Sequence, residues 1–260
     1  MIIDTHAHYD DKAFDEDRQE LLGDLAAHGI NRVINSGSDL GACKRTIELM
    51  EQYSFIYGAL GVHPSDTAEL TEEDMDWLAR QSRREKCVAI GEIGLDYYWD
   101  EPEREHQQKW FVRQLRLAGE VKLPVVIHSR EAARDTIELM QAEHAEEIGG
   151  VIHCYSYSKE SARTFLNMGF YFGIGGVVTF KNGRVLKEVV EYLPMDRILL
   201  ETDSPYLSPV PNRGKRNDSR NLPYVVAGIA QIKGITEEEV ERITTENALR
   251  LYPKLHNVNP

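Results

Sequence analysis

The chain has 260 residues, which is enough for one large α/β barrel or for two smaller domains, each with a sizeable core. Charged residues make up 28% and hydrophobic residues 42% of the sequence, which excludes disordered and collagen-like chains. The net charge of −13 disfavours general binding to polyanions, so any attraction of a nucleic acid would have to be local.

The first residues lack the basic and apolar regions of a signal peptide, and no apolar run approaches the roughly 20 residues that span a bilayer. The cysteines Cys43, Cys87 and Cys154 are odd in number and lack CxxC spacing, which disfavours a disulfide framework. We therefore expect a soluble, cytoplasmic protein that contacts no membrane and needs no obligate protein partner.

Short apolar runs alternate with longer amphipathic runs along the whole chain. The predicted strands are 2–3, 32–34, 55–60, 87–90, 124–127, 150–152, 170–174 and 198–200. The predicted helices after the first seven strands are 15–27, 41–52, 72–81, 102–121, 131–142, 159–168 and 183–192. Two more helical stretches, 223–233 and 236–251, close the chain.

Eight strand–helix units in a chain of this length predict one (β/α)₈ barrel of the TIM type, formed by residues 1–260 as a single domain. Short, continuous apolar strands are typical of a parallel sheet that is covered on both faces. An open doubly wound sheet is the alternative architecture, because it has the same alternation of strands and helices.

Polar side chains follow five of the predicted strands, at the ends that form the functional rim of such a barrel. These residues are His6 and His8 after the first strand, Glu92 after the fourth, His128 after the fifth, His153 after the sixth and Asp203 after the eighth. Imidazole and carboxylate groups together suit zinc, manganese, iron or nickel. We interpret the set as metal ligands, although each residue alone could be a solvated, capping or otherwise structural rim residue.

Glu92 and Asp203 are the carboxylates with the most specific predicted roles. Glu92 lies between Gly91 and Gly94, which allow close backbone approach, and a carboxylate there can bridge two cations. No lysine follows the fourth strand to serve as a carboxylated bridge instead. Asp203 could bind metal and accept a proton from water, the alternative being a cap of the following turn.

Two further rim residues are predicted to contact substrate. His63 follows the third strand, and its alternative is a structural role. Arg130 follows His128 by two residues, and its guanidinium suits a phosphate oxygen. The alternative for Arg130 is an ion pair with Asp96 or Glu131.

The segment 204–221 is a long polar loop after the last strand, as functional loops often are. Bound metal ions and a cluster of basic residues on this loop are the candidates for local attraction of a nucleic acid. The cluster consists of Arg213, Lys215, Arg216 and Arg220.

Six stretches of the sequence, in this order, closely resemble the TatD family of metal-dependent deoxyribonucleases, which lie within the amidohydrolase-like barrels. They are DTHAH at 4–8, GVHP at 61–64, GEIGLDY at 91–97, VIHSR at 126–130, VIHCYS at 151–156 and LETDSPYL at 200–207. Together they run through most of the chain and are highly specific, whereas HxH alone is not.

The resemblance implies hydrolysis of DNA, as a single strand, at a centre of two divalent cations. It places one cation among His6, His8, Glu92 and Asp203, and the other among Glu92, His128 and His153. The family often carries Arg-Asn-Glu-Pro after the last strand, whereas this chain has RNDS at 216–219 and RNLP at 220–223. Asn217 and Asn221 are therefore both candidates for the role of that asparagine.

Three functions fit these residues. The first is a two-metal phosphodiesterase in which Asp203 accepts a proton from water while Arg130 and His63 hold the phosphate. Its metal could be zinc, manganese, magnesium, nickel or iron. The second is a metal-dependent hydrolase of a small amide, lactone or ester. The third is a non-catalytic metal-binding protein, but six ligands at an exposed rim differ from the closed four-ligand sites of structural zinc.

Overall fold

Eight parallel strands follow one another around one sheet in chain order. The structure is a computed structural model that describes residues 1–256. The strands are β1 (Ile2–Ala7), β2 (Ile30–Ser36), β3 (Ile56–Ala59), β4 (Cys87–Asp96), β5 (Val125–Arg130), β6 (Gly150–Ile152), β7 (Tyr171–Ile174) and β8 (Ile198–Leu200).

The helices are α1 (Arg18–Asp24), α2 (Leu40–Gln52), α3 (Glu72–Gln81), α4 (Arg104–Val121), α5 (Ala133–Ala142), α6 (Ala145–Ile148), α7 (Lys159–Asn167), α8 (Arg184–Tyr192), α9 (Leu222–Lys233) and α10 (Glu237–Leu251). Short 3₁₀ turns lie at Lys12–Phe14, Leu25–His28, Pro64–Asp66, Gly176–Thr179, Met195–Arg197, Ser219–Asn221 and Pro253–His256. At least one α-helix thus lies between each pair of successive strands, as in a (β/α)₈ barrel.

The barrel closes between its first and last strands through individual hydrogen bonds rather than a regular ladder. The Thr5 hydroxyl donates to the Leu200 carbonyl at 2.9 Å, and the Asp203 amide donates to the His6 carbonyl at 2.9 Å. The His8 amide donates to the Ser204 carbonyl at 2.8 Å. The predicted TIM-type barrel is therefore confirmed as a nearly closed barrel, and the open doubly wound sheet is wrong.

Alternate residues of the strands enter two different apolar clusters, as the two-residue period of a strand requires. Ile2 packs in the larger cluster, which the strands share with most of the helices, whereas Ile3 packs in a second cluster that also contains Ala248 of α10. This second cluster takes members from each of the eight strands and also includes Tyr252 and Leu255 from the end of the chain. It fills the barrel at the end where the strands begin and leaves the opposite rim to polar side chains.

Three of the five strands associated with predicted ligands, β1, β4 and β5, extend further than expected, whereas β6 and β8 have the predicted bounds. His6, Glu92 and His128 lie within β1, β4 and β5 and do not follow them as predicted. The pairing register shifts between Asp4 and Ala7 in β1 and between Ile90 and Ile93 in β4. Such irregularities re-aim side chains, and they bring His6 and Glu92 to the rim from inside the strands.

The helix predicted at 15–27 is shorter than expected. Arg18–Asp24 is α-helical, and Leu25–His28 continues as a 3₁₀ turn that ends at Gly29 in the left-handed conformation. The prediction that 1–260 form a single domain includes residues 257–260, which lie outside the described residues, and it stays a prediction.

Candidate metal centre

His6 and His8 lie with their Nε2 atoms 3.0 Å apart, and both rings are held from behind by Ser36 at the end of β2. The Nδ1 atom of His8 lies 2.8 Å from the Ser36 carbonyl, and the Nδ1 atom of His6 lies 3.2 Å from the Ser36 hydroxyl. A carbonyl oxygen only accepts, so His8 carries its hydrogen on Nδ1. In its neutral form the His8 ring therefore presents an Nε2 lone pair to His6.

This facing pair of nitrogens fits a cation, or a proton in the place of one. Burial disfavours charge on His8, but a hydrogen bond to Asp203 and the charge of Glu92 raise its pKa to about 9. Burial and the neighbouring His153 lower the pKa of His6. A proton on His8 and a cation thus compete for the same pair of nitrogens, and cation binding would displace the proton.

Glu92 lies at the middle of the centre and turns one oxygen toward each side of it. Its Oε2 lies 3.3 Å from Nε2 of His6 and 3.7 Å from Nε2 of His8. Its Oε1 lies 2.8 Å from Nδ1 of His128 and 3.8 Å from Nε2 of His153. Burial opposes its charge, but His153 and His6 hold the pKa of Glu92 well below its ordinary value.

Gly94 allows β4 to pass close to β5 beside these ligands. Its φ of +145° is rarely adopted by residues with a side chain, and a Cβ there would overlap the carbonyl oxygen of His128. The glycines beside Glu92 predict a close approach of the backbone to a neighbouring strand, and Gly94 makes this approach to β5.

His128 is clamped between two carboxylates. Its Nε2 lies 3.1 Å from Oδ2 of Asp96, while Nδ1 faces Glu92. Burial disfavours charge on the ring, but the hydrogen bonds to Asp96 and Glu92 raise the pKa of His128. A carboxylate on the far nitrogen is the arrangement that orients ligand histidines and raises their basicity.

His153 stacks on His6, with ring centroids 3.5 Å apart, and has Glu201 behind it. Its Nδ1 lies 3.1 Å from Oε1 of Glu201, but the two groups are not aligned as a hydrogen bond. Burial disfavours charge on His153, yet the carboxylates of Glu201 and Glu92 raise its pKa to about 10. Glu201 itself fits only because Gly173 on β7 has no side chain.

Asp203 faces the same histidines from the segment that follows β8. Its Oδ1 lies 3.5 Å from Nε2 of His8, 3.6 Å from that of His153 and 3.8 Å from that of His6. Burial opposes ionisation, but protonated His153 and the hydrogen bond with His8 lower the pKa of Asp203. The ligand atoms of His6, His8 and Asp203 lie within 4.8 Å of one another, a spacing that suits one cation.

His63 lies beside His128, with ring centroids 4.3 Å apart, and its Nε2 is 3.9 Å from Oε1 of Glu92. Its Nδ1 accepts the Ser65 amide at 3.2 Å. Burial and His128 lower the pKa of His63 to about 3, so the ring is neutral and carries its hydrogen on Nε2. His63 therefore presents a donor to the centre, which suits a substrate oxygen better than a cation.

Arg130 forms neither of the ion pairs considered as alternatives. Its guanidinium lies 3.8 Å from the centroid of the Tyr98 ring, and no carboxylate among residues 1–256 pairs with it. Asp96 is instead bound to His128 and to the loop that follows β4. Arg130 is exposed at the rim, where an anion can reach it.

The loop at 204–221 does not present its basic residues as one cluster. Arg216 is held by Asp17 at 2.5 Å, and Arg220 by Asp218 at 2.9 Å. Arg213 stacks on the Phe180 ring at 4.3 Å. The expected local attraction of nucleic acid by four free cations is thus reduced, because carboxylates already neutralise two of them.

Of the two candidate asparagines, Asn217 is the one tied to the centre. Its side-chain amide donates to the Thr202 carbonyl at 3.0 Å, next to Asp203. Asn221 instead donates to the side chain of Asn217 at 2.9 Å. Asn217 thereby links the loop to the segment that carries Asp203.

The sequence reasoning missed Ser36, Asp96 and Glu201 as functional residues. Glu201 and Asp96 stand in the stretches ETD and GLD, next to predicted ligands, which was a usable signal. Nothing in the sequence around Ser36 marks it, because its role depends on β2 pairing with β1.

Comparisons with known proteins identify the family. The family model described as "TatD related DNase" matches residues 3–253. The chain belongs to the TatD family. This TatD family protein is a metal-dependent hydrolase, like relatives that span nearly its whole length.

Two curated relatives of this TatD family protein carry the name "uncharacterized metal-dependent hydrolase". YabD of Bacillus subtilis is 46% identical over 252 residues, covering 97% of this chain and 99% of the relative. YcfH of Escherichia coli is 34% identical over 255 residues, covering 97% and 96%.

Among solved structures, the TatD homolog YjjV of E. coli is similar with a TM-score of 0.91 and 30% identity, covering 99% of this chain and 98% of that one. The E. coli phosphotriesterase homology protein, at a TM-score of 0.67 and 15% identity, covers 96% and 97% and shares the fold. In residues 1–256, no helix has the length and apolarity needed to cross a membrane.

Proposed function

We propose that this protein hydrolyses phosphodiester bonds of single-stranded DNA at a centre of two divalent cations. The observation that carries the proposal is Glu92, whose Oε2 faces His6 and His8 while its Oε1 faces His128 and His153. A carboxylate between two sets of nitrogen ligands is suited to bridge two cations. His6, His8 and Asp203 would complete one cation site, and His128 and His153 the other.

The side chains around the centre would transfer a proton and hold the phosphate. When bound, the cations would supply Lewis-acid activation of water and of the phosphate. Asp203 is ionised at neutral pH, so it can accept the proton that water loses on attack. His63 would donate Nε2–H to a phosphate oxygen, and Arg130 would hold another phosphate oxygen from the rim.

Two features support DNA over a neutral ester or amide. The matched family is described as DNases. Arg130 is an exposed guanidinium without a carboxylate partner among the described residues, placed next to His128 on β5. A neutral substrate would give this group no negative charge to pair with.

The test is cleavage of 5′-labelled and 3′-labelled single strands by protein loaded with Mg²⁺, Mn²⁺, Zn²⁺ or Co²⁺ in turn. We expect cleavage with at least one metal, its loss in Glu92→Gln, and product lengths that separate exonuclease from endonuclease action. Arg130→Ala should lose DNA turnover but keep any activity on a small neutral ester. No cleavage of DNA, RNA or a model diester with any of the metals would end the proposal.

A further inference from the structure

Two aromatic rings stand exposed at the rim, on the loop that follows β4. The exposed fraction of Tyr98 is 50% and that of Trp99 is 64%. Their ring centroids lie 4.9 Å apart in an edge-to-face arrangement. We call Tyr98 and Trp99 the aromatic shelf. Large exposed aromatic surface at a rim is costly in water and indicates a contact with something outside the molecule.

The aromatic shelf is fixed to the metal centre through one side chain. Asp96 accepts the amides of Tyr98 and Trp99 on Oδ1, at 3.0 and 3.3 Å. Its Oδ2 lies 3.1 Å from Nε2 of His128. The backbone of both aromatic residues is therefore held at a set position relative to the predicted ligand His128.

The charges around the aromatic shelf identify what it can bind. Arg130 lies over the Tyr98 ring and offers one cation for a phosphate. Asp100 and Glu101 follow Trp99 directly, and the whole chain carries a net charge of −13. A nucleic acid therefore gains little from general electrostatic attraction here. Contact with ring faces is the stronger source of affinity, because stacking on a base does not depend on charge.

We infer that the aromatic shelf stacks an unpaired nucleobase of the strand whose phosphate lies on Arg130 and the metal centre. This inference rests on the proposed function and adds the feature of the substrate that is recognised. A base within a duplex is stacked and paired on its own helix, so only a single-stranded or frayed base can turn its face to Trp99. The shelf thus selects single strands without reading sequence, since every base has a π-face.

The test compares two strands that carry the same phosphates. One is oligothymidylate and the other is an abasic strand of equal length, both with phosphorothioate backbones that resist cleavage. Their binding to the metal-loaded protein is measured by fluorescence anisotropy. A stacking contribution of about 1–3 kcal/mol per base corresponds to roughly 5–140-fold in Kd. We expect the base-carrying strand to bind tighter than the abasic strand by a factor in that range.

Variants test whether the difference in affinity between the two strands arises from the aromatic shelf. Trp99→Ala should weaken binding of the base-carrying strand by a similar factor and leave the abasic strand unchanged, because the ring and the base are the two partners of the same stacking contact. Trp99→Phe should retain most of the affinity. The matched control is Tyr192→Ala, which removes a ring that is 36% exposed at the end of α8, next to the start of β8 and away from the rim.

The outcomes separate this inference from the proposed function. If wild-type protein cleaves neither strand with a natural backbone and any metal, the proposed function fails. If it cleaves DNA but binds base-carrying and abasic strands equally, the inference about the shelf is wrong. It is equally wrong if Trp99→Ala changes only the oligomeric state, since the shelf would then contact a second copy of the chain.

Discussion

Replacement of Asp203 by asparagine tests whether Asp203 is a proton acceptor or a structural residue. The substitution keeps the size of the side chain and one oxygen, but it removes the negative charge that faces three histidines at 3.5–3.8 Å. Loss of a general base costs about 10²–10⁴-fold in rate, or about 2.7–5.4 kcal/mol in activation free energy. We therefore expect kcat to fall by that factor and KM to stay within a few-fold.

Asparagine can adopt the backbone conformation of Asp203, so the substitution should not strain the fold. Asp203 has a φ of +56°, in the left-handed region that asparagine adopts more readily than most residues. Its side chain is 17% exposed and faces the histidines, while the turn after it is closed by its carbonyl, which accepts the Tyr206 amide at 2.9 Å. The melting temperature of the metal-loaded variant should stay close to that of the wild type.

The assay is the initial rate on a labelled single strand over a range of metal concentrations, with the melting temperature measured on the same samples. Excess metal should not restore Asp203→Asn, whereas it should restore turnover in the control His8→Asn, which mainly weakens cation binding. If Asp203 only capped a turn, its loss would cost about 1 kcal/mol of stability and leave turnover intact. A folded Asp203→Asn protein with near-normal kcat would refute the assigned role.

Three further predictions follow from the centre and from β4. Glu92→Gln should lose more metal on dialysis than any single histidine variant, because Glu92 faces both cation sites; full occupancy by elemental analysis would rule out the bridge. With pKa values of about 9 for His8 and about 10 for His153, both rings are protonated in the metal-free centre at neutral pH. Zinc affinity should therefore rise between pH 6 and 8, by about tenfold per pH unit for each proton released. Calorimetry in buffers of different ionisation enthalpy measures that release, and an affinity independent of pH would contradict it. Gly94→Ala should lower the free energy of unfolding, measured in urea, by roughly 3 kcal/mol or more. The control Gly119→Ala lies in an open helical position and should raise it by about 0.5–1 kcal/mol. Equal effects would contradict the close approach of β4 to β5.

The order of strands and helices could be predicted because each strand is a short apolar run. Cys87–Ile90 and Gly150–Ile152, for example, need no partner to be recognised as strands. The continuation of β4 to Asp96 could not be predicted in the same way, since GEIGLD mixes glycines with charged residues. Those residues extend as a strand because the neighbouring β5 pairs with them, with Asp96 opposite Arg130.

The predicted metal ligands come together at the rim, since their strand ends fix where they lie. Among their supporting residues, Asp96 and Glu201 stand next to predicted ligands in the sequence and could have been found. Ser36 could not, because it reaches His6 and His8 only through the pairing of β2 with β1. The ion pairs of the basic residues in the loop at 204–221 could not be predicted for a related reason. Arg216 and Arg220 find Asp17 and Asp218, and the first of these lies about 200 residues away in the sequence.

The irregular junction between β1 and β8 has a consequence for how the protein is made. It joins Thr202 to His6 across 196 residues, and the entropy of closing so long a loop is offset only once β8 exists. A chain emerging from the ribosome carries its first histidines from the outset, but it lacks Asp203 until synthesis is almost complete. A prematurely terminated chain that ends in β7 therefore lacks both the strand that closes the barrel and the Asp203 carboxylate that faces His6 and His8.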